Sequence, residues 1–216
     1  MTTKTFRTRK ARKGIVGIEA AIVLIAFVIV AAALAFVVLN MGFYTTQKSK
    51  ETMKTGLEEA TSALEVDGSV IGAVDKGTEA VWAIAIPIKL SSGRSPVDLT
   101  KVAITITTEN KTVYLTVNEE TPQTKTDLSD SEIRDVFDIL KSENKKFLFI
   151  EYVGDGDDLV EVNEKWVLAI ALNETLGYKL EAYSTITVEI KPATGAPLTV
   201  ERMIPAQLSN DRVVLT

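Results

Sequence analysis

The sequence of 216 residues contains no cysteine and no histidine. Without cysteine there is no disulfide, no thiol nucleophile and no thiolate metal site. Without histidine, the side chain best suited to acid–base chemistry near neutral pH is missing. The sequence also has no Walker A phosphate loop and no G-x-S-x-G nucleophile motif. Because these absences exclude the commonest catalytic and zinc-binding sites, we predict a protein that is not an enzyme and needs no cofactor.

Charge is distributed unevenly along the chain. Residues 1–14 contain six basic residues and no acidic one, whereas the full chain has a net charge of −5. If residues 1–14 are removed, 18 basic residues remain against 29 acidic ones, and the net charge becomes −11. Since a strongly acidic surface repels phosphate backbones, we expect no nucleic-acid partner.

An apolar run follows the basic leader. Residues 20–39 are twenty consecutive apolar residues, the length that crosses a bilayer as a helix. Residues 15–43 hold 18 Ile, Val, Leu, Met or Phe side chains, whose exposure to water would cost tens of kcal/mol at about 1.5–3 kcal/mol each. This segment therefore belongs in lipid or inside a protein assembly. The basic leader should stay in the cytoplasm, which places the rest of the chain outside.

Three interpretations of this N-terminus compete. A secretory signal peptide ending near Ala31-Ala32-Ala33 is one, but apolar residues continue beyond that point to Leu39. A permanent membrane anchor is the second. Cleavage before the apolar run is the third, and Gly14 at the junction together with the carboxylate of Glu19 favours it. Cleavage there would create an α-amine on Ile15 about 6 Å, one helical turn, from Glu19, where the two could pair.

Lys13-Gly14 followed by Ile15-Val-Gly-Ile-Glu19 resembles the class III signal peptide of archaeal flagellins and type IV pilins. The C-terminal sequence PLTVERMIPAQLSNDRVVLT also resembles the ending of archaeal flagellins. The resemblance implies that a prepilin-peptidase-type protease cuts between Gly14 and Ile15, with Lys13 beside the cut. It also implies assembly through the N-terminal helix, for which Ile18, Glu19 and Ile22 are the candidate residues.

The implied function is a structural subunit of the archaeal flagellum (archaellum), a homopolymer for swimming that a membrane motor and assembly machinery build and turn. The filament would be extracellular, and the precursor would lie in the cell membrane with a cytoplasmic N-terminus. Two alternatives remain open at this stage. One is an adhesive type IV pilin subunit, and the other is an uncleaved single-span surface protein with a binding β-domain.

The sequence predicts an α+β protein with four segments. These are a cleaved leader at 1–14, a long helix at 15–66, a linker at 67–79 and a β-domain at 80–216. The second half of the helix carries an apolar stripe at Met53, Leu57, Ala60 and Leu64, which could pack on its own domain or on another subunit. In the β-domain, runs rich in Val, Ile and Thr predict strands at 81–90, 101–107, 111–117, 147–153, 166–172, 184–190, 198–204 and 213–215.

One helix is predicted within the β-domain, at 131–141, with Ser129 or Asp130 as its N-cap. Seven or eight short strands over this length indicate a β-sandwich. The family resemblance implies an immunoglobulin-like antiparallel β-sandwich.

Two kinds of polar motif occur in the β-domain. Asn110-Lys-Thr112 and Asn173-Glu-Thr175 are N-glycosylation sequons, so both asparagines are candidate modification sites. Residues 154–158, Gly-Asp-Gly-Asp-Asp, form an acidic turn that does not match an EF-hand loop. We expect a solvated hairpin turn there, with a hard-cation site at Asp155, Asp157 and Asp158 as the alternative.

Overall fold

The protein is represented by a computed structural model that describes residues 13–91, 95–117, 134–208 and 210–216. The three α-helices in this part are α1 Lys13–Thr61, α2 Arg134–Glu143 and α3 Leu172–Leu176. The strands are β1 Leu64–Val66, β2 Ile71–Asp75, β3 Ala80–Leu90, β4 Val97–Asp98, β5 Ala103–Thr108, β6 Thr112–Thr116, β7 Phe147–Val153, β8 Leu159–Val160, β9 Lys165–Ala171, β10 Thr185–Lys191, β11 Leu198–Met203 and β12 Arg212–Val214. The chain divides into two compact units between Lys54 and Thr55.

The first unit is the greater part of α1, a helix of 49 residues. It is long and apolar enough to cross a membrane, and its most apolar window reaches a mean hydropathy of 3.4 with no residue buried. Polar side chains at the end of the apolar run bond within the helix. The hydroxyls of Thr45 and Thr46 each donate to the carbonyl four residues earlier at 2.8 Å. These hydroxyls therefore need no water or external partner.

The helix ends at Thr61, so the predicted end at Val66 is wrong. Residues Leu64–Val66 instead form β1, which pairs antiparallel with the end of β3. Leu64 is buried in the core of the second unit. The position of Leu64 in the sequence fits the apolar face of a helix and the buried face of a short strand equally well. Its pairing with β3 makes it part of a strand. The predicted linker at 67–79 likewise contains β2, which pairs with β3 and β12.

The second unit contains two main antiparallel sheets. Six strands form the larger sheet, in the order β12-β2-β3-β9-β7 with β1 also on β3. Four strands form the smaller sheet, in the order β11-β10-β5-β6, and β4 pairs with β8 separately. Large side chains from both sheets share one core, which includes Ile86 of β3, Leu168 of β9 and Ile106 of β5. The predicted α+β class, with a long apolar helix followed by antiparallel sheets, is confirmed.

The central strands of the larger sheet, β3 and β9, are mostly buried on both faces. The second face of the sheet carries small residues, among them Ala83, Ala85, Ala169 and Ala171, and α2 packs on it. Alternate residues of β3 and β9 therefore differ in size, with Ile and Leu toward the other sheet and Ala toward the helix. Small side chains let the helix backbone approach the sheet closely.

Most predicted strands occur in the structure. All eight have a counterpart that differs by two residues or fewer at either end. Helix α2, predicted at 131–141, extends to Glu143, while its predicted N-caps, Ser129 and Asp130, lie outside the described residues. The short strands β1, β2, β4 and β8 and the short helix α3 have no counterpart among the predicted elements.

Candidate assembly surface and modification sites

Apart from Glu19, the surface of α1 is apolar on every side from Ile18 to Leu39. The large apolar side chains at least half exposed there include Ile18, Ile22, Phe27, Leu34, Phe36 and Leu39. Ile18 and Ile22 are four residues apart and share one face of the helix, and Glu19 is exposed beside them. Lys13, Gly14 and Ile15, the predicted cleavage residues, are the first three residues of α1.

The predicted apolar stripe in the second half of α1 is divided between two environments. Leu64 is buried in the β-domain core. Met53 and Leu57 are 74% and 64% exposed. These two side chains are therefore open to a neighbouring molecule rather than packed within this chain.

Within the second unit, which begins at Thr55, the residues at the end of α1 make a contact that the sequence did not predict. Buried Ser62 accepts a hydrogen bond on its carbonyl from Ala196 N–H at 3.2 Å. Gly195 precedes this alanine with φ +105°, and a Cβ atom there would lie 1.9 Å from the Ser62 carbonyl oxygen. Only glycine fits this position without displacement of the backbone. The Thr-Gly-Ala-Pro sequence signals a turn, but not its contact with α1.

Other loops also hold the helix end. The Ser91 N–H donates to the Ala63 carbonyl at 2.8 Å, and the hydroxyls of Thr61 and Ser95 lie 3.0 Å apart. The carbonyls at the C-terminus of a helix lack partners within the helix, so loops that approach this end are well placed to supply them.

An ion-pair network lies just beyond the helix end. Asp67 contacts Lys165 at 2.8 Å and Lys89 at 3.1 Å, and Lys89 also contacts Glu65 at 3.3 Å. Hydrogen bonds from Lys165 and then Lys89 hold the pKa of the Asp67 carboxyl below its usual value. The same contacts, Asp67 first, raise the pKa of Lys89.

The sequon at Asn110 lies on the surface. Asn110 and Thr112 are both exposed, in and after the turn that joins β5 to β6. The turn is closed by hydrogen bonds between Thr108 and Lys111 in both directions. An enzyme that modifies a sequon must reach the asparagine amide and the hydroxyl two residues later, and the fold leaves both accessible here.

The sequon at Asn173 lies in α3 and is partly buried. The side-chain oxygen of Asn173 is buried and accepts no hydrogen bond. The hydroxyl of Thr175, itself buried, donates to the Lys146 carbonyl at 3.2 Å. Gly177, with φ +84°, ends the helix by donating its N–H to the Asn173 carbonyl. The fold therefore exposes the sequon at Asn110 and partly buries the one at Asn173, a difference that the sequence does not show.

Hydrogen bonds hold the acidic turn at residues 154–158 in a fixed conformation, so the turn is not fully solvated as expected. The Gly156 N–H donates to the Glu151 carboxylate at 2.9 Å, and a Cβ atom at Gly154 would lie 1.9 Å from that carboxylate. Asp157 accepts from the Leu159 N–H at 2.8 Å, so its carboxylate stabilises the turn.

Three carboxylates converge beside this turn. Oxygens of Glu151, Asp155 and Glu164 lie within 4.8 Å of one another, and both glutamates are over 90% buried. They form the one such group within the described residues, and hard cations prefer carboxylate oxygens. Of the three aspartates considered from the sequence, only Asp155 belongs to this group, whereas Asp157 and Asp158 lie outside it. Glu164 was missed because it is 13 residues from Glu151 in the sequence and comes near it only through the pairing of β7 with β9.

Comparison with known proteins shows which family this chain belongs to. A family model described as archaeal-type flagellin matches residues 14–202. The chain belongs to the archaeal-type flagellin family. It is 49% identical to the probable flagellin 1 of Aeropyrum pernix over 92% of this chain and 95% of that protein. It is 36% identical to the probable flagellin 2 of Archaeoglobus fulgidus, over 94% and 95% of the two chains.

Two solved structures support this assignment. The archaeal flagellum of Methanospirillum hungatei strain JF1 has a subunit that is 29% identical, with a TM-score of 0.62 over 92% of this chain and 98% of that one. A crystallised archaeal flagellin from Methanocaldococcus jannaschii gives a TM-score of 0.61 at 17% identity, over 71% and 96% of the chains, and shows a shared fold. This flagellin is a structural subunit of the archaeal flagellum and not an enzyme, as the sequence predicted.

Proposed function

We propose that this flagellin is made as a membrane precursor with a cytoplasmic N-terminus, is cut after Gly14, and then polymerises outside the cell through α1. The exposed apolar surface of α1 carries the proposal. Burial of its large apolar side chains among copies of the same helix would contribute on the order of tens of kcal/mol per subunit. A single contact that repeats along a helical path gives an open filament.

Two observations support cleavage between Gly14 and Ile15. The basic residues of the leader all precede this bond, and the match to the flagellin family begins at Gly14. Removal of the leader takes away the charges that hold the N-terminus on the cytoplasmic face. It also creates an α-amine one helical turn from Glu19, and we propose that the two groups pair within one chain or between neighbours. A prepilin-peptidase-type protease is the proposed partner for this step.

N-terminal sequencing of the native filament protein tests the cleavage. We expect the sequence to begin at Ile15. A chain that begins at Met1 would support a permanent anchor, and a chain that begins beyond Ala33 would support a secretory signal peptide. Either result would overturn processing at Gly14.

Substitution of Glu19 tests the proposed pairing. We expect Glu19→Ala to reduce filament yield strongly while the chain still reaches the cell surface, because assembly and not export needs the carboxylate. Glu19→Asp, which keeps the charge, is the matched control and should retain more assembly. Normal filaments from Glu19→Ala would reject the pairing role.

Motility assays distinguish the proposed swimming role from adhesion. A motor at the filament base, assembled with its own membrane machinery, would turn a passive polymer of this chain. Cells that lack the chain should lose swimming and their filaments under the electron microscope, while surface attachment remains. Loss of attachment with normal swimming would instead indicate an adhesive pilin.

We also propose that Asn110 is the glycosylated sequon and that Asn173 remains unmodified once the domain has folded. The exposure of Asn110 and the burial around Asn173 and Thr175 support this choice. Mass spectrometry of peptides from native filaments should find sugar on Asn110 only. Modification of Asn173 alone would contradict the assignment.

A further inference from the structure

A polar cleft of about 270 Å³ lies directly beside Asn110. One wall is the β5–β6 turn, and the other is the segment 178–185 that leads into β10. Asn110 itself lines the cleft, together with Tyr178, Glu181 and Ser184. Its volume is below the ~300–1,000 Å³ of pockets for drug-sized molecules, so it suits a single small ring.

The two walls of the cleft are tied together. The hydroxyls of Tyr178 and Thr108 lie 2.6 Å apart, and the Lys111 ammonium donates to the Leu176 carbonyl at 2.7 Å. These bonds join the β5–β6 turn to Tyr178 in the opposite wall and to the end of α3 just before it. The cleft is therefore built before anything enters it, which lowers the entropy that binding would lose.

Polar groups in the cleft remain available. Within the described residues, the carboxylates of Glu109 and Glu181 and the hydroxyl of Ser184 make no hydrogen bond or ion pair. Carboxylates accept strong hydrogen bonds from hydroxyl groups, and a serine hydroxyl both donates and accepts. The half-buried ring of Tyr178 adds an apolar surface. This combination matches a sugar, which carries several hydroxyls on an otherwise apolar ring.

We infer that the first sugar of a glycan on Asn110 lies in this cleft and hydrogen-bonds to Glu181. The inference rests on the proposed glycosylation of Asn110. In that step the Asn110 amide nitrogen bonds to the anomeric carbon of a lipid-phosphate-linked saccharide as the carbon–oxygen bond to phosphate breaks. The amide loses one proton, and the lipid phosphate leaves. The attached sugar then closes the cleft as a fixed part of the domain surface.

Thermal unfolding of the native protein, purified from its own cells in detergent, tests the inference by a double-mutant cycle. We expect Glu181→Ala to lower the unfolding temperature by about 2–4 °C in the glycosylated chain. In an Asn110→Gln chain, which has no sugar, the same substitution should change it by less than about 1 °C. Glu201→Ala, an exposed glutamate on β11, is the matched control and should have the same effect in both chains.

Two different results would overturn the inference, and mass spectrometry of the same samples separates them. An equal effect of Glu181→Ala in both chains, with sugar present on Asn110, would show that the glycan does not contact the cleft. An unmodified Asn110 in native filaments would instead remove the glycosylation on which the inference rests.

Discussion

Gly195 and Ser62 are in contact where the loop between β10 and β11 crosses the end of α1. The glycine combines a left-handed backbone with a space that no side chain can enter. Substitution there has two costs, since L-residues disfavour this φ and the new methyl group meets a backbone oxygen.

Gly195→Ala should therefore destabilise the protein more than an alanine at an open left-handed glycine. Gly177, with φ +84° and no neighbouring atom within 4 Å of where a Cβ would lie, is the matched control. We expect Gly195→Ala to lower the free energy of unfolding by about 1–3 kcal/mol more than Gly177→Ala does. Denaturant unfolding in detergent measures the difference, and equal losses would show that the loop moves away freely.

The ion pairs of Asp67 make the stability of the folded chain depend on pH. Because the pKa of Asp67 is lowered in the folded chain, mainly by Lys165 and then by Lys89, its contribution to stability is present above the unfolded pKa of about 3.9. That contribution is lost as the pH falls through the lowered value.

Asp67→Asn should lower the unfolding free energy near pH 7 by up to about 1 kcal/mol, because the ion pairs are partly exposed. The difference from the unsubstituted chain should shrink as the pH falls from about 7 through the lowered pKa of Asp67. Unfolding curves across this range provide the measurement. In a chain with Lys89→Met and Lys165→Met, the same substitution should have little pH-dependent effect, and an unchanged pH dependence would assign it to another group.

At the scale of elements, the alanines beneath α2 set the distance between helix and sheet. Ala169 is fully buried between the sheet and the helix residues Phe137 and Leu140. We expect Ala169→Leu to cost about 1–3 kcal/mol by overpacking, and to increase hydrogen exchange in α2. Ala193→Leu, in an exposed loop, should change the unfolding free energy by less than about 0.5 kcal/mol. A stability unaffected by Ala169→Leu would mean that α2 packs loosely.

The elements that could be predicted from the sequence are those whose own residues show a clear pattern of strand-forming or alternating apolar side chains. Residues 147–153 combine β-branched and aromatic residues, and β7 has these same bounds. The alternation of Ala with Ile or Leu in β3 and β9 also reflects the burial of these two strands on both faces. By contrast, β1 and β4 are two or three residues long, and they exist because β3 and β8 lie beside them.

The candidate sites also divide into those with a local sequence pattern and those that depend on contacts made in the fold. The cleavage motif and both sequons are local patterns, so they are visible in the sequence. Which sequon is exposed depends on α3 and on the contact between Thr175 and Lys146, and these arise only after folding. The grouping of Glu164 with Glu151 likewise depends on strands β7 and β9 being neighbours.

At the scale of the whole molecule, the proposed apolar assembly surface of α1 would determine which solvents dissolve the filament. Ions screen charges but leave apolar contacts intact, since the Debye length falls to about 3 Å at 1 M salt while burial of apolar surface persists. We expect filaments to remain intact in about 1 M sodium chloride and to release subunits in a detergent that covers α1. Sedimentation with electron microscopy measures both, and dissolution by salt alone would indicate assembly through charged surfaces of the β-domain.

The uniformly apolar composition of residues 20–39 in α1 would affect how a bundle of such helices deforms. Polar residues at a helix interface fix one register, because any shift leaves a hydrogen bond unmade. Residues 20–39 contain no polar side chain, and the first hydroxyls of threonine beyond them, at Thr45 and Thr46, bond to their own helix. Along this stretch, which lies between Glu19 and Asn40, neighbouring helices would make no side-chain hydrogen bond that fixes their register. A filament core built from residues 20–39, as proposed for α1, would bend and change its pitch under load with no side-chain hydrogen bond to break in that stretch.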